Sequence, residues 1–453
     1  MTILEQLVPI LRRQPTADDR QRASLHLLDW LGSAALGAQT AIGQKLAELW
    51  RLDAGPGSCS ALGQGQADPQ TSLFFNATLG NILEMDDVHR TSILHPGPVV
   101  IPTALAYAEA NDHTAEELLN AIICGYEAVI RIGRGLGPVH YQYWHNTSTA
   151  GAFGAAAAVC SLRQASEREW LDALANAGTR TGGLWQMRNE ECQSKQLHNG
   201  WAALTGRQAA LAAAVGLQGP AAMLEGPQGL LTATAAGGRP DAIIEQPQGE
   251  WLLWQCSFKP WPACRHTHPS IDAALAFSGS VDAISELTVA TYRDAMLFCD
   301  KPAPESELQA KFSLQHCVAI TLLRGAPGLT DFDAAARADT TVAELRSRIT
   351  VTEDESLTAA FPNAYRATLT IKLHDGSQQT IAIDNVLGDP GKPMSSDAII
   401  AKATQLLQAA GYRQEQITTL LSGIDTLAQG GEWLPWAATL AEPPTAAGPG
   451  SPL

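Results

Sequence analysis

The spacing of the hydrophobic residues divides the chain into a long helical part and a shorter mixed part. Up to about residue 245, Ala-rich amphipathic segments alternate with Gly and Pro, which predicts helices almost throughout and hardly any strand. Small residues fill 154–159 and 202–219, so we expect two closely packed helices, the second ending at Gly219-Pro220. Residues 1–13 predict an amphipathic helix and lack the basic-then-apolar order of a signal peptide.

From about residue 256 the pattern changes to an alternation of apolar and polar residues, rich in β-branched side chains, which predicts strands. Asp375-Gly376 is a hairpin turn signal, and a helix is predicted between strands at about 308–324. Beyond Pro390 the pattern predicts helices at 396–410 and 414–421, which could rejoin the first domain. The predicted strands are 284–292, 348–352, 367–373 and 378–383.

Composition and charge narrow the class of protein. A chain of 453 residues exceeds what one hydrophobic core usually serves, so we expect two domains. No apolar run approaches the roughly 18 residues of a membrane span, and the net charge of −16 argues against nucleic acid and anionic membranes as partners. A small anionic substrate is compatible with this charge if a local cluster of basic residues binds it. The eight cysteines include no Cys-x-x-Cys pair, which favours reduced, packed thiols. Because residues 1–13 do not have the order of a signal peptide, we expect a cytoplasmic protein.

The densest chemistry lies in the segment from Glu84 to His95. This segment holds the carboxylates of Glu84, Asp86 and Asp87 and the imidazoles of His89 and His95, and a Pro-Gly-Pro turn follows it. Only 17% of the chain is charged, and buried charge without a partner costs several kcal/mol. We therefore interpret the segment as one wall of an active site.

Further polar clusters follow later in the chain. His145 precedes a predicted helix near Gly151, and a helix N-terminus favours a carboxylate. Lys195 and His198 are spaced so that they lie on one face of a helix. The junction of the two domains carries Lys259, Arg265, His266 and His268, and a small charged turn begins at Phe298.

Each candidate also has a purely structural interpretation. Asp86 and Asp87 are compatible with helix capping or surface pairing, because Asp is common at such positions. His145 is compatible with a satisfied buried histidine, Lys195 alone with a solvated lysine, and the two histidines after Arg265 with a packed pair. None of these residues identifies a function by itself, and only their order along the chain does so.

A metal site is the remaining alternative for the first cluster. Asp86, His89 and His95 could in principle hold a metal ion. The sequence has no helical His-x-x-x-His pair and no compact carboxylate loop that would support such a site. We therefore expect no metal ion at this cluster.

Eight motifs in a fixed order resemble the MmgE/PrpD family, over roughly residues 5 to 430. That family includes 2-methylcitrate dehydratase, cis-aconitate decarboxylase and iminodisuccinate epimerase. The motifs are Asn81-Ile-Leu-Glu-Met-Asp-Asp-Val-His89, His95-Pro-Gly-Pro-Val-Val-Ile-Pro102, Gly125-Tyr-Glu127, His145 with 154–158, Lys195-Gln-Leu-His-Asn-Gly200, Gly219-Pro-Ala-Ala-Met-Leu-Glu-Gly226, Lys259-Pro-Trp-Pro-Ala-Cys264 with His268, and Ala310-Lys-Phe-Ser313.

The resemblance implies a mainly α fold. A large all-helical domain would be formed by both chain ends, at 1–255 and 386–445, and a smaller α+β domain would be inserted at 256–385. It also implies a homodimer, and an active site in the cleft between the domains that uses no metal or organic cofactor. The Pro- and Gly-rich residues 446–453 are expected to be a disordered tail.

The chemistry shared by these activities follows from the residues. Removing a proton next to a carboxylate, or losing CO₂, builds negative charge that cations and hydrogen-bond donors must stabilise. Our hypothesis assigns proton transfer to His95 and His145, orientation of an imidazole to Asp86, and carboxylate binding with enolate stabilisation to Lys195 and Lys259. The expected substrate-binding residues are Glu84, Asp87, His89, His198, Arg265, His268 and Phe298.

Departures from the family pattern bear on the reaction. Family members commonly read Asp-Phe-Asp-Asp-Thr where this chain has Glu84-Met-Asp-Asp-Val88, and Phe298 falls where some members have tyrosine. These differences, and an Asp87 to His95 gap about one residue longer, count against decarboxylation. The leading hypothesis is a hydro-lyase of the 2-methylcitrate dehydratase type. The alternatives are an epimerase of the iminodisuccinate type, a cis-aconitate-type decarboxylase, and a homologue that only binds an anion.

Overall fold

The computed structural model describes residues 1–190 and 192–445, so the predicted tail at 446–453 lies outside the described residues. The chain divides into two compact units. The helical unit comprises Met1–Ile82, Asp86–Cys256 and the described residues from 395 onward, and the sheet unit comprises Leu83–Met85 and Ser257–Met394. The fold is mainly α, with 59% helix and 9% strand, and the predicted fold class is confirmed.

Helices begin where the sequence supplies caps. The first helix starts with a capping box, in which the Glu5 N–H donates to the Thr2 hydroxyl (3.3 Å) and the Thr2 N–H donates to the Glu5 carboxylate (2.7 Å). The amphipathic helix predicted at the N-terminus is thereby confirmed. In chain order the α-helices are α1 (Ile3–Leu11), α2 (Ala17–Gln39), α3 (Ala41–Asp53), α4 (Pro69–Leu79), α5 (Gly97–Ala110), α6 (Ala115–Tyr143), α7 (Asn146–Leu162), α8 (Glu167–Gly178), α9 (Ser194–Ala214), α10 (Leu230–Thr234), α11 (Asp241–Ile244), α12 (His268–Leu275), α13 (Arg293–Cys299), α14 (Glu307–Lys311), α15 (Leu314–Arg324), α16 (Ala334–Ala338), α17 (Thr340–Ser347), α18 (Glu355–Ala360), α19 (Ser396–Ala409), α20 (Gln414–Ala428) and α21 (Leu434–Thr439).

Strands outside the sheet unit are short. In chain order the strands are β1 (Cys59–Ala61), β2 (Gly65–Ala67), β3 (Val88–His89), β4 (Cys256–Ser257), β5 (Ile284–Thr291), β6 (Ile349–Glu353), β7 (Ala367–Leu373) and β8 (Gln378–Ile383).

The sheet unit contains a four-stranded sheet of order β6-β5-β7-β8. Strand β5 runs parallel to β6 and antiparallel to β7, so Leu287 pairs with Ile349 on one side and Ile371 on the other. Alternate residues of β5 are buried, and they pack in one apolar core with Val318 of α15. The β7–β8 hairpin turns at Gly376, whose φ of 84° suits glycine. The four predicted strands and the hairpin are confirmed.

Close contacts between α6, α7 and α9 organise the helical unit. A Cβ on Gly154 of α7 would lie 2.9 Å from the carbonyl oxygen of Gly125 in α6. Gly206 of α9 is packed as tightly against α7, because a Cβ there would collide with the carbonyl oxygen of Ala152. Small side chains thus permit the short separation of the three helices. The predicted small-residue helix at 154–159 is confirmed as part of α7.

Both ends of the chain contribute to the helical unit. A Cβ on Gly32 of α2 would lie 3.0 Å from the Cα of Ala403 in α19. Beside this contact, the Lys402 ammonium lies 2.6 Å from the Asp29 carboxylate in a buried ion pair. Burial raises the pKa of Asp29 to about 6, although Lys402 acts in the opposite direction. The C-terminal helices predicted from the sequence therefore pack on the N-terminal ones.

Some helix limits differ from the prediction. The end predicted at Gly219-Pro220 is wrong, because α9 stops at Ala214 and Gly216 follows with a φ of 83°. The single helix predicted at 308–324 is two helices, because the Ser313 side chain caps α15 by accepting the N–H of His316 (3.0 Å). The β1–β2 hairpin escaped prediction because its strands have only three residues each.

The cysteines are reduced and mostly packed, as the sequence predicts. All eight cysteines are free thiols, and all except Cys192 are buried. Burial raises the pKa of Cys59, Cys124 and Cys317 to about 12, so these thiols stay protonated at neutral pH. Among the described helices, none is both long enough and apolar enough to cross a bilayer.

Buried histidines make the fold sensitive to acid. Burial lowers the pKa of His140 to about 4, and its ring nitrogens contact the hydroxyls of Thr234 (2.9 Å) and Thr149 (3.0 Å). In the unfolded chain this imidazole takes up a proton below its ordinary pKa of about 6.5. The unfolded state therefore binds more protons, and stability falls as the pH decreases from about 6.5 toward 4.

We expect His140→Gln to reduce this acid sensitivity. Between pH 7 and pH 5 the variant should lose about 2 kcal/mol less unfolding free energy than the wild type, because glutamine does not titrate. Asp29 acts in the opposite direction below pH 6, but it is present in both proteins and cancels. Urea denaturation at the two pH values measures the difference. The exposed His374 gives the control, since His374→Gln should behave like the wild type; equal losses in all three proteins would contradict the prediction.

Candidate active site

The predicted site residues fall in both units. All of them except His95, Lys195 and Phe298 are buried, and buried polar groups need partners, so the partners indicate the roles. The helical unit holds Asp86, Asp87, His89, His95, His145, Lys195 and His198, and the sheet unit holds Glu84, Lys259, Arg265, His268 and Phe298.

Asp86 and His95 form a hydrogen-bonded pair. The Nδ1 atom of His95 lies 2.9 Å from the Asp86 carboxylate and 2.9 Å from the backbone carbonyl oxygen of Asp87. A carbonyl only accepts, so Nδ1 carries the proton. Asn81 donates to both oxygens of Asp86 (2.7 Å each) and fixes its orientation. The His95 side chain is 17% exposed, and its Nε2 has no hydrogen-bond partner among the described residues, so Nε2 is available to accept a proton.

Asp87 is held within the protein. Its carboxylate accepts the N–H of Gly97 (3.0 Å) and the hydroxyl of Tyr126 (2.8 Å), and it lies 2.8 Å from Nδ1 of His26. These bonds fix both ends of the segment that carries His95. The predicted contact of Asp87 with substrate stays a prediction, and these bonds favour a role in positioning.

His89 stabilises the turn before His95. Its Nδ1 is 2.7 Å from the Ser92 hydroxyl and 3.4 Å from the Ser92 N–H, and its backbone pairs with Leu94. Burial, followed by the charges of Arg134 and Arg90, lowers its pKa well below the usual range, so the ring is neutral. Among the described residues, no group of three or more His, Cys, Asp and Glu side chains is placed to hold a metal ion.

His145 and His198 form a second imidazole pair. His145 precedes α7 as its N-cap, as predicted, and its N–H donates to the Gly183 carbonyl (2.8 Å). Its Nδ1 lies 3.3 Å from Nδ1 of His198 in α9, and its ring packs against Trp185 with centroids 4.5 Å apart. The structure thus brings two predicted site residues together and adds an aromatic wall.

Both rings of this pair are neutral at neutral pH. Burial lowers the pKa of His145 well below its usual range, and the charges of His198, Lys195 and His95 lower it further. Burial and then Lys195 lower the pKa of His198. A neutral pair shares one proton between the two Nδ1 atoms, so one ring has a proton on Nε2 and the other has a free lone pair there. The pair therefore offers one donor and one acceptor.

In the sheet unit, Lys259 is paired with Glu84. The buried Lys259 ammonium donates to the backbone carbonyl of Glu84 (2.9 Å) and lies 3.6 Å from its carboxylate. Glu84 has a φ of 58°, in the left-handed region that residues other than glycine seldom adopt. The segment that holds Glu84 is therefore locally strained, and the Lys259 bond to its carbonyl helps to hold it there.

Arg265 and His268 contact each other. Nη1 of Arg265 lies 3.1 Å from Nδ1 of His268, and Nε2 of His268 donates to the Ala263 carbonyl (3.0 Å). Nη2 of Arg265 pairs with the Asp389 carboxylate. His268 therefore orients the guanidinium through Nδ1, which accepts from it. Whether either residue contacts a substrate stays a prediction.

Phe298 belongs to an aromatic cluster. Its ring stacks on His266 with centroids 5.1 Å apart, and Tyr365 stacks on the same imidazole at 5.5 Å. Nδ1 of His266 lies 2.7 Å from the Tyr292 hydroxyl. His266 is thus a packed aromatic residue, which agrees with the structural alternative considered for it.

The sequence left some contributing residues without a role. Asn81 and Tyr126 are in the quoted motifs, and a polar residue in a motif was the only signal for them. His26 is a single histidine on the largely apolar helix α2, so it had no distinguishing pattern, whereas Trp185 was a candidate either for the lining of a pocket or for the core. Only the folded chain places these side chains beside Asp86, Asp87 and His145.

Comparison with known proteins identifies the family. The MmgE/PrpD N-terminal domain matches residues 10–242, and the MmgE/PrpD C-terminal domain matches residues 261–425. The chain belongs to the MmgE/PrpD family.

Several enzymes are similar to this chain. The cis-aconitate decarboxylase of Homo sapiens is 27% identical over 405 residues, which cover 84% of this chain and 82% of that enzyme. That of Mus musculus is 26% identical over 401 residues, covering 83% and 80%. The 2-methylcitrate dehydratase of Cupriavidus necator is 29% identical over 139 residues, 28% of each chain.

We expect Lys195→Met to raise the pKa of both His145 and His198. The lysine charge lowers both pKa values, and methionine keeps most of the side-chain volume without the charge. A histidine-detected NMR titration measures the shifts, with assignments from His145→Gln and His198→Gln. The exposed Lys45 of α3 provides the control, since Lys45→Met should leave both pKa values unchanged. If the pKa values of His145 and His198 were unchanged in Lys195→Met, the Lys195 ammonium would be too far from the two imidazoles to affect them.

Proposed function

We propose that the protein is a lyase that acts on a small di- or tricarboxylic acid, without a cofactor, through a carbanion stabilised by a neighbouring carboxylate. The leading reaction is dehydration of the 2-methylcitrate type. The observation that carries this proposal is the Asp86–His95 pair, in which Nδ1 of His95 donates and Nε2 is open. Enzymes of the same family that are similar to this chain support a reaction of this class.

His95 has the geometry of a general base. When Nε2 takes a proton from the carbon next to a carboxylate, the ring becomes positive, and the Asp86 carboxylate at 2.9 Å stabilises that charge. Asn81 keeps Asp86 from rotating away, because it donates to both carboxylate oxygens. The base is therefore oriented before the substrate arrives.

The His145–His198 pair has the features of the second proton-transfer group. In dehydration the C–H electron pair forms the new double bond, the C–O bond breaks, and the leaving hydroxyl takes a proton and departs as water. The neutral pair offers one imidazole N–H for that step. Two imidazole groups in different surroundings, one beside a carboxylate and one kept neutral by burial, suit a reaction that needs both a base and an acid.

Cations are assigned to the substrate's carboxylates. We propose that Lys195 in the helical unit and Lys259 in the sheet unit bind carboxylates and stabilise the enolate, because cations are needed where negative charge develops. Lys259 and Arg265 are buried with carboxylate partners, Glu84 and Asp389. These partners keep the cations in place when no substrate is bound.

A second candidate is decarboxylation of the cis-aconitate type. It is favoured by the extent of similarity, since the human cis-aconitate decarboxylase matches 84% of this chain and the dehydratase matches 28%. Decarboxylation needs only a proton donor to the carbanion left by CO₂, and the same imidazoles can supply it. The departures at Glu84, Val88 and Phe298 count against it.

Proton NMR in D₂O tests the proposal. The purified, EDTA-treated protein is incubated separately with 2-methylcitrate, citrate, cis-aconitate and iminodisuccinate. We expect new vinyl signals from a hydroxy acid. Loss of CO₂ from cis-aconitate would mean that the reaction is decarboxylation and not dehydration. Deuterium entering the α-carbon without elimination would indicate an epimerase. If none of the four acids reacts, the proposed substrate range is wrong.

Asp86→Asn should lower kcat by about a hundredfold or more, because the amide no longer stabilises a positive His95 ring. The thermal midpoint should fall no further than in the control below, because each variant replaces one hydrogen-bonded oxygen of a buried carboxylate by an NH2 group. The matched control is Asp172→Asn, another buried aspartate of the helical unit, which binds Arg168 and the N–H of Gly219. If Asp86→Asn and Asp172→Asn had equal kcat, Asp86 would have no part in the mechanism.

A further inference from the structure

The segment from Asp86 to Gly97 is tied down at one carboxylate. Oδ1 of Asp87 accepts the N–H of Gly97 at 3.0 Å, and Oδ2 accepts the Tyr126 hydroxyl at 2.8 Å. Nδ1 of His26 is also 2.8 Å from Oδ2. The two ends of the segment are thus joined through one side chain, and α6 supplies a bond to it through Tyr126.

The Asp87 backbone, which its carboxylate holds in place, helps to orient the His95 ring. The backbone carbonyl of the same Asp87 accepts the Nδ1–H of His95 at 2.9 Å. A shift of the Asp87 backbone would therefore move one of the two acceptors that hold Nδ1. Proton transfer is sensitive to such shifts, because a displacement of 1 Å can cost about a hundredfold in rate.

Packing leaves this arrangement little freedom. A Cβ on Gly97 would lie 2.8 Å from Oδ1 of Asp87 and 3.0 Å from the Tyr126 hydroxyl, so only glycine fits at the start of α5. Tyr126 is fully buried. Burial and the Asp87 charge raise the pKa of Tyr126 well above its usual range, so the hydroxyl stays protonated and continues to donate.

We propose that Tyr126 is a positioning residue for the reaction, which acts through Asp87 to hold the His95 ring with its proton on Nδ1. This inference rests on the proposed function for its catalytic consequence only. Tyr126 lies on α6, and nothing in its own surroundings places it in contact with a substrate. Its effect is transmitted by the bond from Tyr126 to Asp87 and by the bond from His95 to the Asp87 carbonyl.

Tyr126→Phe tests the proposal, since it removes the hydroxyl and keeps the ring. With the acid that the protein converts, we expect kcat to fall about tenfold and KM to stay within about twofold. The second readout needs no substrate. In ¹⁵N-histidine-labelled protein at pH 8, long-range ¹H–¹⁵N NMR should show the Nδ1–H tautomer for wild-type His95 and a shift toward the Nε2–H tautomer in the variant. His95→Gln assigns the signal.

The matched control is Tyr107→Phe. Tyr107 lies on α5 in the same unit and is nearly buried, and its hydroxyl accepts from Nη1 of Arg163 at 3.2 Å. This variant loses a tyrosine hydrogen bond without touching Asp87, so kcat and the His95 tautomer should match the wild type. If kcat fell by a similar factor in both variants, the effect of Tyr126→Phe would be explained by general destabilisation and not by positioning of His95.

A double-mutant cycle tests the route. If Tyr126 acts through Asp87, the Tyr126→Phe and Asp87→Asn effects on kcat should not multiply. Multiplying effects would contradict action through Asp87, and an unchanged His95 tautomer in Tyr126→Phe would overturn the proposal. If no acid is converted, the proposed function fails while the tautomer measurement still decides the positioning role. If Asp87→Asn does not fold, the comparison with Tyr107→Phe decides.

Discussion

The close approach of α7 to α6 and α9 is the constraint on which the helical unit depends. Gly125, Gly154 and Gly206 leave no room for a Cβ at the crossings, so the three helices are held at short distance. Because His145 caps α7 and His198 lies in α9, this separation sets the 3.3 Å contact between their rings. The same α6 carries Tyr126, so one set of glycine contacts governs both the imidazole pair and the support of His95.

The fold was largely accessible from the sequence because its signals are local. Alternation in β5 to β8, Asp375-Gly376 and the small residues of α7 each determine structure within a few positions. The predicted helix limits were wrong where a single residue sets the end or the start of a helix. Gly216 does so after the end of α9, and Ser313 does so at the start of α15. In the site, residue types in motifs led to Asp86, His95 and His145. Their partners could not be predicted, because the Asp87 contacts with Tyr126 and His26 join positions that are far apart in the chain.

The two units stabilise their buried titratable side chains in different ways. In the helical unit, His145 and His198 are kept neutral by burial and by neighbouring cations. In the sheet unit, the basic side chains of Lys259 and Arg265 are paired with the carboxylates of Glu84 and Asp389. A carboxylate ligand at those cations would compete with carboxylates already present.

The buried pair of Asp29 and Lys402 has a consequence for the order of synthesis. The two residues are 373 positions apart, so at cellular elongation rates the counter-charge follows the aspartate by roughly 20 to 75 seconds. During that interval the sheet unit leaves the ribosome in full, while α2 still lacks α19. The helical unit, although most of it comes first, can therefore complete its core only after the sheet unit has been synthesised.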